Sequence, residues 1–394
     1  MDHEAALIGQ RVREIRAWRK MSVTVTAELA GITKGYLSLI ERGQRAVTKR
    51  TTLEALAQAL RVSPTDLLGK PYAPHDAASD EAHAGIPELT AVLSGWRVGE
   101  IPDVKVREWG AIQADVDQLN AVLRANADYA AQSRLVPALT KELLAAVNTS
   151  HRVKALIGLM CTYKAAAYLA HDLGVQGLPT LAAERMRQVA EELDDPVWLS
   201  YAAYQRAQVV SGNNRPRQYE LAAAVADMPG ARVETRGLAN LTAALAAATT
   251  GRHDLAHTHL AEAANLAETI EADVSPWMNT NFGRENTNIW KVSVGLELGD
   301  GAKAAELASR MRPTSVSKSR QAQFWIDYGR ALLTDRRHSE RGLAAILHAE
   351  QIAPQKVRNN AFVREAVVGL LTTARRDAGG RDLRGLAYRI GVGV

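Results

Sequence analysis

Residues 21–43 read MSVTVTAELAGITKGYLSLIERG. Two short stretches of helical apolar spacing meet at Gly31, and Gly43 closes the second. Ser22 and Thr33 stand where each helix would begin. A hydroxyl there can accept one of the orphan amides of the first turn. Leu29, Ile32, Leu37 and Ile40 are spaced to lock the two helices together across a tight turn. That leaves Lys34, Gly35, Ser38 and Leu39 on the outer face of the second helix. Its N-terminus carries the positive end of the helix dipole and free amides, both suited to phosphate. A helix presented this way fits the major groove of DNA.

The surroundings agree. The first 70 residues read as five short helices. Leu7, Val12, Ile15 and Trp18 share a face of the first. The segment TTLEALAQALRV gives a fourth, with Thr51 or Thr52 as its cap, and SPTDLLG a fifth with Pro64 in its first turn. Charge is unevenly spread. Residues 1–72 hold 12 Lys+Arg against 7 Asp+Glu, and residues 73–394 hold 36 of each. The whole excess behind the net charge of +5 therefore sits in the first fifth of the chain. A basic small domain on a neutral large one suggests an anionic partner for the small one, most often nucleic acid, and with the helix-turn-helix arrangement the expected partner is double-stranded DNA. Pro71 to Gly85 mixes proline, alanine and acids without an apolar period and reads as a linker.

Residues 7–68 resemble the Cro/lambda-repressor, or xenobiotic-response-element, type of helix-turn-helix domain. LIGQRVREIR, AELAGITKGYLSLIERG and TLEALAQALRVSPTDLL carry the likeness without gaps. The resemblance implies that Thr33 to Glu41 is the recognition helix. By position Lys34, Gly35 and Leu39 would then face base edges, and Thr33 and Arg42 the backbone phosphates. Ser22, Tyr36 and Ser38 complete that face. Arg16 of the first helix would pair with Glu41. Two positions depart from the pattern: Val23 replaces the usual bracing glutamine, and Gly35 the usual polar base reader. The following loop, GQRAVTKRT, is long and basic. Arg45, Lys49 and Arg50 are accordingly expected to add phosphate or minor-groove contacts.

From about Ile86 onward the chain reads as helix after helix, an all-α array following the N-terminal five-helix domain. Turns are read at 174–179, 211–216, 228–231, 250–252, 299–301, 312–316, 335–338 and 354–358. GRHDLAHTHLAEAANLAE, LGDGAKAAELASRM and RRHSERGLAAILHAEQIAP look alike, with small residues at helical spacing that let neighbours approach closely. That is the logic of a helical-pair solenoid. The array, residues 86–394, resembles tetratricopeptide-type repeats. Joined to this DNA-binding domain it resembles two groups, the peptide-sensing regulators of Gram-positive bacteria and a large actinobacterial set. ERGLAAILHAEQIAPQKVRNNAFVREAVVGLL and LRGLAYRIGV look most like the second. The resemblance implies dimerisation and signal binding by the repeats.

One stretch stands out, SPWMNTNFGRENTNIWKVS, with Asn279, Asn281, Asn286 and Asn288 among Trp277, Phe282, Arg284 and Trp290. Asparagine disfavours helix interiors, yet it can donate and accept at once. The stretch is a candidate site for a peptide or small molecule, with Arg284 for a carboxylate; a loop capped by its own asparagines is the plainer alternative. His253 and His257 share a helix face and His259 is near, but no third ligand joins them, so no metal is expected. Cys161 lies in an apolar helix and reads as core. No phosphate loop, nucleophile elbow or carboxylate pair is visible, so neither an enzyme nor a cofactor is expected. The single cysteine, the absence of an apolar run of membrane-spanning length and the N-terminus MDHEAALIGQ point to the cytoplasm. The reading is a homodimeric DNA-binding regulator. The alternative is a repeat scaffold, tethered to DNA or independent of it, that binds a partner protein.

Overall fold

The computed structural model describes residues 8–68, 77–210, 214–373 and 380–392. Leu7 and residues 71–76 of the expected linker lie outside them. Among the described residues the regular structure is helical, with no strand.

The N-terminal helices are α1 (Ile8–Trp18), α2 (Val23–Leu29), α3 (Lys34–Glu41), α4 (Arg50–Ala59) and α5 (Pro64–Leu68). Ser22 Oγ accepts from Val25 N and Thr33 Oγ1 from Tyr36 N, so both hydroxyls cap the helices they precede. Gly31 turns the chain between α2 and α3 at φ 64°, a left-handed conformation that costs glycine little. Val12, Ala27, Ala30, Leu37, Ile40, Leu53, Leu56 and Leu60 form the core of this domain. Leu29, expected in that core, is 62 % exposed instead. Ala27 and Ala30 take its place, because small residues let α2 cross close to its neighbours.

The expected caps of α4 are also corrected. The helix begins at Arg50, with Thr51 and Thr52 already inside it, and Lys49 at its cap position makes no side-chain bond. The cap comes from far away in sequence. The Glu297 carboxylate accepts from Arg50 N at 2.9 Å and Thr51 N at 3.4 Å, satisfying two orphan amides at the positive end of the helix.

In the second half of the expected linker, Ala77–Ala84 is a helix, packed on Tyr129–Ala146 with Ala82 and Ser79 buried. Packing of the face that carries Ser79 and Ala82 is the tertiary support a helix this short needs. Beyond it, helices pack on their sequence neighbours as pairs. Arg152–Asp172 packs on Leu178–Leu193, Val233–Thr249 on His253–Glu268, and Lys318–Leu332 on Ser339–Ile352. The first helices of successive pairs also stack. Val233–Thr249 lies on Pro196–Val209 and on Arg284–Leu298, which in turn lies on Lys318–Leu332. The turn expected at 354–358 is a short helix, Pro354–Arg358.

The start and the end of this superhelix touch. Ser319 N donates to Ala125 O at 2.8 Å, Ala130 N to Gln355 Oε1 at 3.0 Å, and Lys356 Nζ to Asp172 Oδ2 at 3.1 Å. One helix, Arg152–Asp172, is long and apolar enough to cross a membrane, contrary to the sequence reading. It runs through the protein core, with 78 % of its apolar window buried, and Cys161 lies within it.

Candidate functional site

The outer face of α3 is open. Thr33, Lys34, Gly35 and Arg42 are exposed, while Tyr36, Ser38 and Leu39 are half-buried. Ser22, at the start of α2, is exposed too. Arg42, the C-cap residue of the helix, donates from Nε to Ser38 O at 3.0 Å, a basic side chain at the negative end of the dipole. The helix is held from behind. Arg16 Nε and Nη2 grip Glu41 at 2.6 and 2.8 Å in a two-pronged ion pair that is largely buried. A rigid helix with a cationic, small-residue face and free N-terminal amides can lie in a groove against phosphates.

The loop after α3 is placed differently from the sequence reading. Arg45 Nη2 donates to Thr334 O at 3.3 Å, Arg336 Nη2 returns a bond to Gln44 O at 3.1 Å, and Lys49 lies beside Gly299. Arg50 pairs with Glu297 at 3.3 Å and stacks over Phe362. The three residues expected on DNA phosphates therefore face the repeats. Arg330, 1 % exposed, organises the junction. It pairs with Asp327 at 2.8 Å and Glu297 at 3.1 Å, and donates to Thr48 O at 2.9 Å. A second carboxylate, Glu365, accepts from Ile8 N and Val47 N. Arg215 closes the far side on Glu54 at 2.7 Å. Sequence gave little warning here, since loop arginines look alike whether they meet a phosphate or a carboxylate of the same chain.

Inside the superhelix lies a cavity of about 550 Å³. Each stacked helix contributes residues one turn apart: Lys164 and Tyr168, Tyr201, Tyr204 and Gln208, Thr242, Asn286 and Trp290, Arg320 and Gln323. Asn120 and Arg124 come from a π-helical turn, Gln118–Leu123 and its cap, a geometry often found at functional sites. Arg50 reaches the same cavity from the N-terminal domain. Burial holds the Lys164 ammonium well below its usual range, with Arg124 adding to the effect, and lowers Arg320 to about 10. For Asp172 burial pushes the other way, but Lys356, His171 and the Tyr129 hydroxyl hold it ionised below the usual carboxylate range.

Of the asparagine-rich stretch, Asn279, Asn281, Asn286 and Trp290 line the cavity. Asn286 Oδ1 takes Arg320 Nε at 2.6 Å and Asn281 Oδ1 takes Ser317 N at 2.8 Å. Arg284 and Asn288 do not line it. Arg284 is tied to Ile270 O, Glu271 O and Asp273, and Asn288 is exposed and takes Lys291. The loop also explains its own composition. Met278, Asn279 and Asn281 have φ of 51°, 47° and 59°, a region asparagine tolerates better than most residues. The Met278 carbonyl thereby meets Lys164 Nζ at 2.6 Å. Phe282 anchors the loop on Gly237, where any Cβ would overlap its ring. Lys164 and Tyr168 were missed from sequence because their helix reads as core. A lone lysine in an apolar run was the available signal.

His259 binds Asn240 and Tyr219, and among the described residues no three His, Cys, Asp or Glu side chains cluster as a metal site.

Residues 7–68 match the family model described as a helix-turn-helix domain. The uncharacterized HTH-type transcriptional regulator YozG of Bacillus subtilis is 44 % identical over 52 residues, 13 % of this chain and 62 % of its own. The HTH-type transcriptional repressor RghR of the same organism is 36 % identical over 62 residues, 16 % of this chain and 46 % of its own. The chain thus covers less than two thirds of either relative. Among solved structures, the apo form of the competence regulator ComR from Streptococcus vestibularis aligns over 81 % of this chain and 97 % of its own, at 14 % identity and a TM-score of 0.19. The N-terminal segment is a helix-turn-helix domain.

Proposed function

We propose that the chain is a sequence-specific transcription regulator of the Cro/lambda-repressor type. It binds a pseudo-palindromic operator as a homodimer and answers to a peptide or small molecule held by the helical repeats. The observation that carries the DNA reading is the open face of α3, with Lys34 and Arg42 exposed and the helix clamped from behind by Arg16 and Glu41. The helix-turn-helix family model matches this segment, and relatives named as transcriptional regulators match this chain over 52 and 62 residues. A single domain with a handful of base contacts binds weakly, and two half-sites one or more helical turns apart supply affinity. The decisive variant is Lys34→Glu. Fluorescence anisotropy on an operator fragment is expected to lose specific binding while the protein stays folded. Unchanged retention would favour a repeat scaffold instead.

Control by a ligand is supported by Arg50. This residue belongs to the DNA-binding domain, shares Glu297 with Arg330 at the junction and lines the repeat cavity. A ligand that engages Arg50, or the helices carrying Glu297 and Arg320, changes how firmly the basic loop is held on the repeats. The loop carries Arg45, Lys49 and Arg50, which are then available to phosphates. Glu297→Gln tests this. It is expected to raise operator affinity and weaken its dependence on the ligand.

A further inference from the structure

The cavity walls carry more positive charge than the protein answers. Among the described residues Asp172 is the carboxylate lining the cavity, and it is engaged by Lys356 and the Tyr129 hydroxyl. Glu297 and Glu54 answer Arg50 and Arg215 from behind the wall. Three cations remain. Arg124 has Asn120 Oδ1 at 2.9 Å and the face of Tyr168. Lys164, 2 % exposed, has only the Met278 carbonyl and the face of Tyr201. Arg320 has Asn286 Oδ1 and the face of Trp290, and its Nη2 is shielded from solvent with no partner. None of the three has a carboxylate in ion-pair contact. They line one cavity around the ring of Tyr168, which feels both Arg124 and Arg320.

Lys164 is buried and Arg124 and Arg320 are half-buried, with Asp327 acting on Arg320 only at a distance. Cations so placed without an ion-pair partner are costly, and a chain that keeps three around an open space keeps them for a ligand. Resting on the reading of this cavity as the signal site, we infer that its ligand is a polyanion, with at least two carboxylate or phosphate groups, held by Arg124, Lys164 and Arg320. Guanidinium forks match both groups in two-pronged geometry, and the ammonium of Lys164 adds a point charge. Tyr168 and Trp290, half-exposed on the wall, offer an apolar shelf for the ligand's carbon frame. The depressed proton affinity of Lys164 fits the same picture, since an arriving anion restores it.

The test is calorimetry and thermal unfolding of the full chain with three anionic probes. Citrate stands for free small anions, inorganic phosphate for phosphoryl groups and triglutamate for an acidic peptide. Sodium chloride of equal ionic strength and uncharged citric triamide are the controls. At least one anion is expected to bind one-to-one and raise the unfolding midpoint above the chloride control, and the tightest probe assigns the source. Arg124→Gln and Arg320→Gln should each weaken it at least tenfold, with Lys164→Met as the variant to use if either fails to fold. No anion binding to folded protein, equal binding of the triamide, or full binding by the variants would overturn the assignment. Operator retention is measured on the same preparations. Its loss in the wild type with anion binding intact contradicts the regulator reading alone; anion binding lost with retention intact contradicts this inference alone.

Discussion

Lys164 shows how one residue can be misread. In sequence it sits among alanines, leucines and Cys161, and the run reads as core. The run is core, but Lys164 turns its ammonium toward the cavity and the Met278 carbonyl. Nothing in helical spacing says which buried position faces a void, because that depends on where the next helix of the superhelix lies. A titration follows from its burial. The folded state holds Lys164 below its ordinary value of 10.5, so above the folded value the unfolded chain binds more protons. Stability is therefore expected to rise with pH between the lowered value and 10.5, and the cost is fully present below it. Urea unfolding at pH 7 and pH 9 should give a steeper increase for the wild type than for Lys164→Met. Equal slopes would mean that the ammonium is better solvated than this cavity allows. Asn279 and Asn281 were legible as unusual, but half of the reason lies in the backbone, where their left-handed conformations shape the loop.

At the scale of elements, capping was legible wherever it was local. Ser22 and Thr33 cap the helices that follow them. The start of α4 was not legible, because its cap is Glu297, 247 residues away. Sequence reading offers nearby threonines; the fold offers a carboxylate that also holds Arg50 and Arg330. Removing it leaves a buried arginine short of a partner and two amides uncapped. Glu297→Ala is expected to cost about 3 kcal/mol or more by urea unfolding, as breaking a buried pair does. It should also speed proteolysis of the 44–50 loop. A change under about 1 kcal/mol would mean that the junction is solvated. The contact of Phe282 on Gly237 gives a second test. A methyl at 237 would overlap the ring, so Gly237→Ala is expected to cost on the order of 1–3 kcal/mol. It should also displace the loop that carries Met278 to Lys164, weakening anion binding with DNA binding unchanged.

At the scale of the molecule, the order of parts was legible: a basic helix-turn-helix domain, then an all-helical array. Charge partition and turn chemistry are local sums, and they survive folding. What could not be read was how the parts meet. Arg45, Lys49 and Arg50 look like phosphate ligands in any linear reading, and here Arg45 docks on a carbonyl and Arg50 on a carboxylate of the repeats, with Lys49 beside Gly299. The closure of the superhelix at Ser319 and Ala125, two residues that line the cavity, was equally hidden. The loop arginines also set an expectation for salt. If they stay docked, the phosphates contacted come from α2 and α3 alone, and the logarithmic salt slope of operator binding should be shallow. In Glu297→Gln the freed cations should steepen it by about one unit for each added phosphate contact. An identical slope in both proteins would place the loop off the DNA in either state.

The most direct measurement is footprinting of the wild type and Lys34→Glu on fragments from around the protein's own gene, at two salt concentrations. The wild type is expected to protect a pseudo-palindrome, less so at the higher salt, and Lys34→Glu to give no protection. Protection by both proteins, or by neither against a background of weak sequence-independent retention, would contradict α3 as the element that reads DNA.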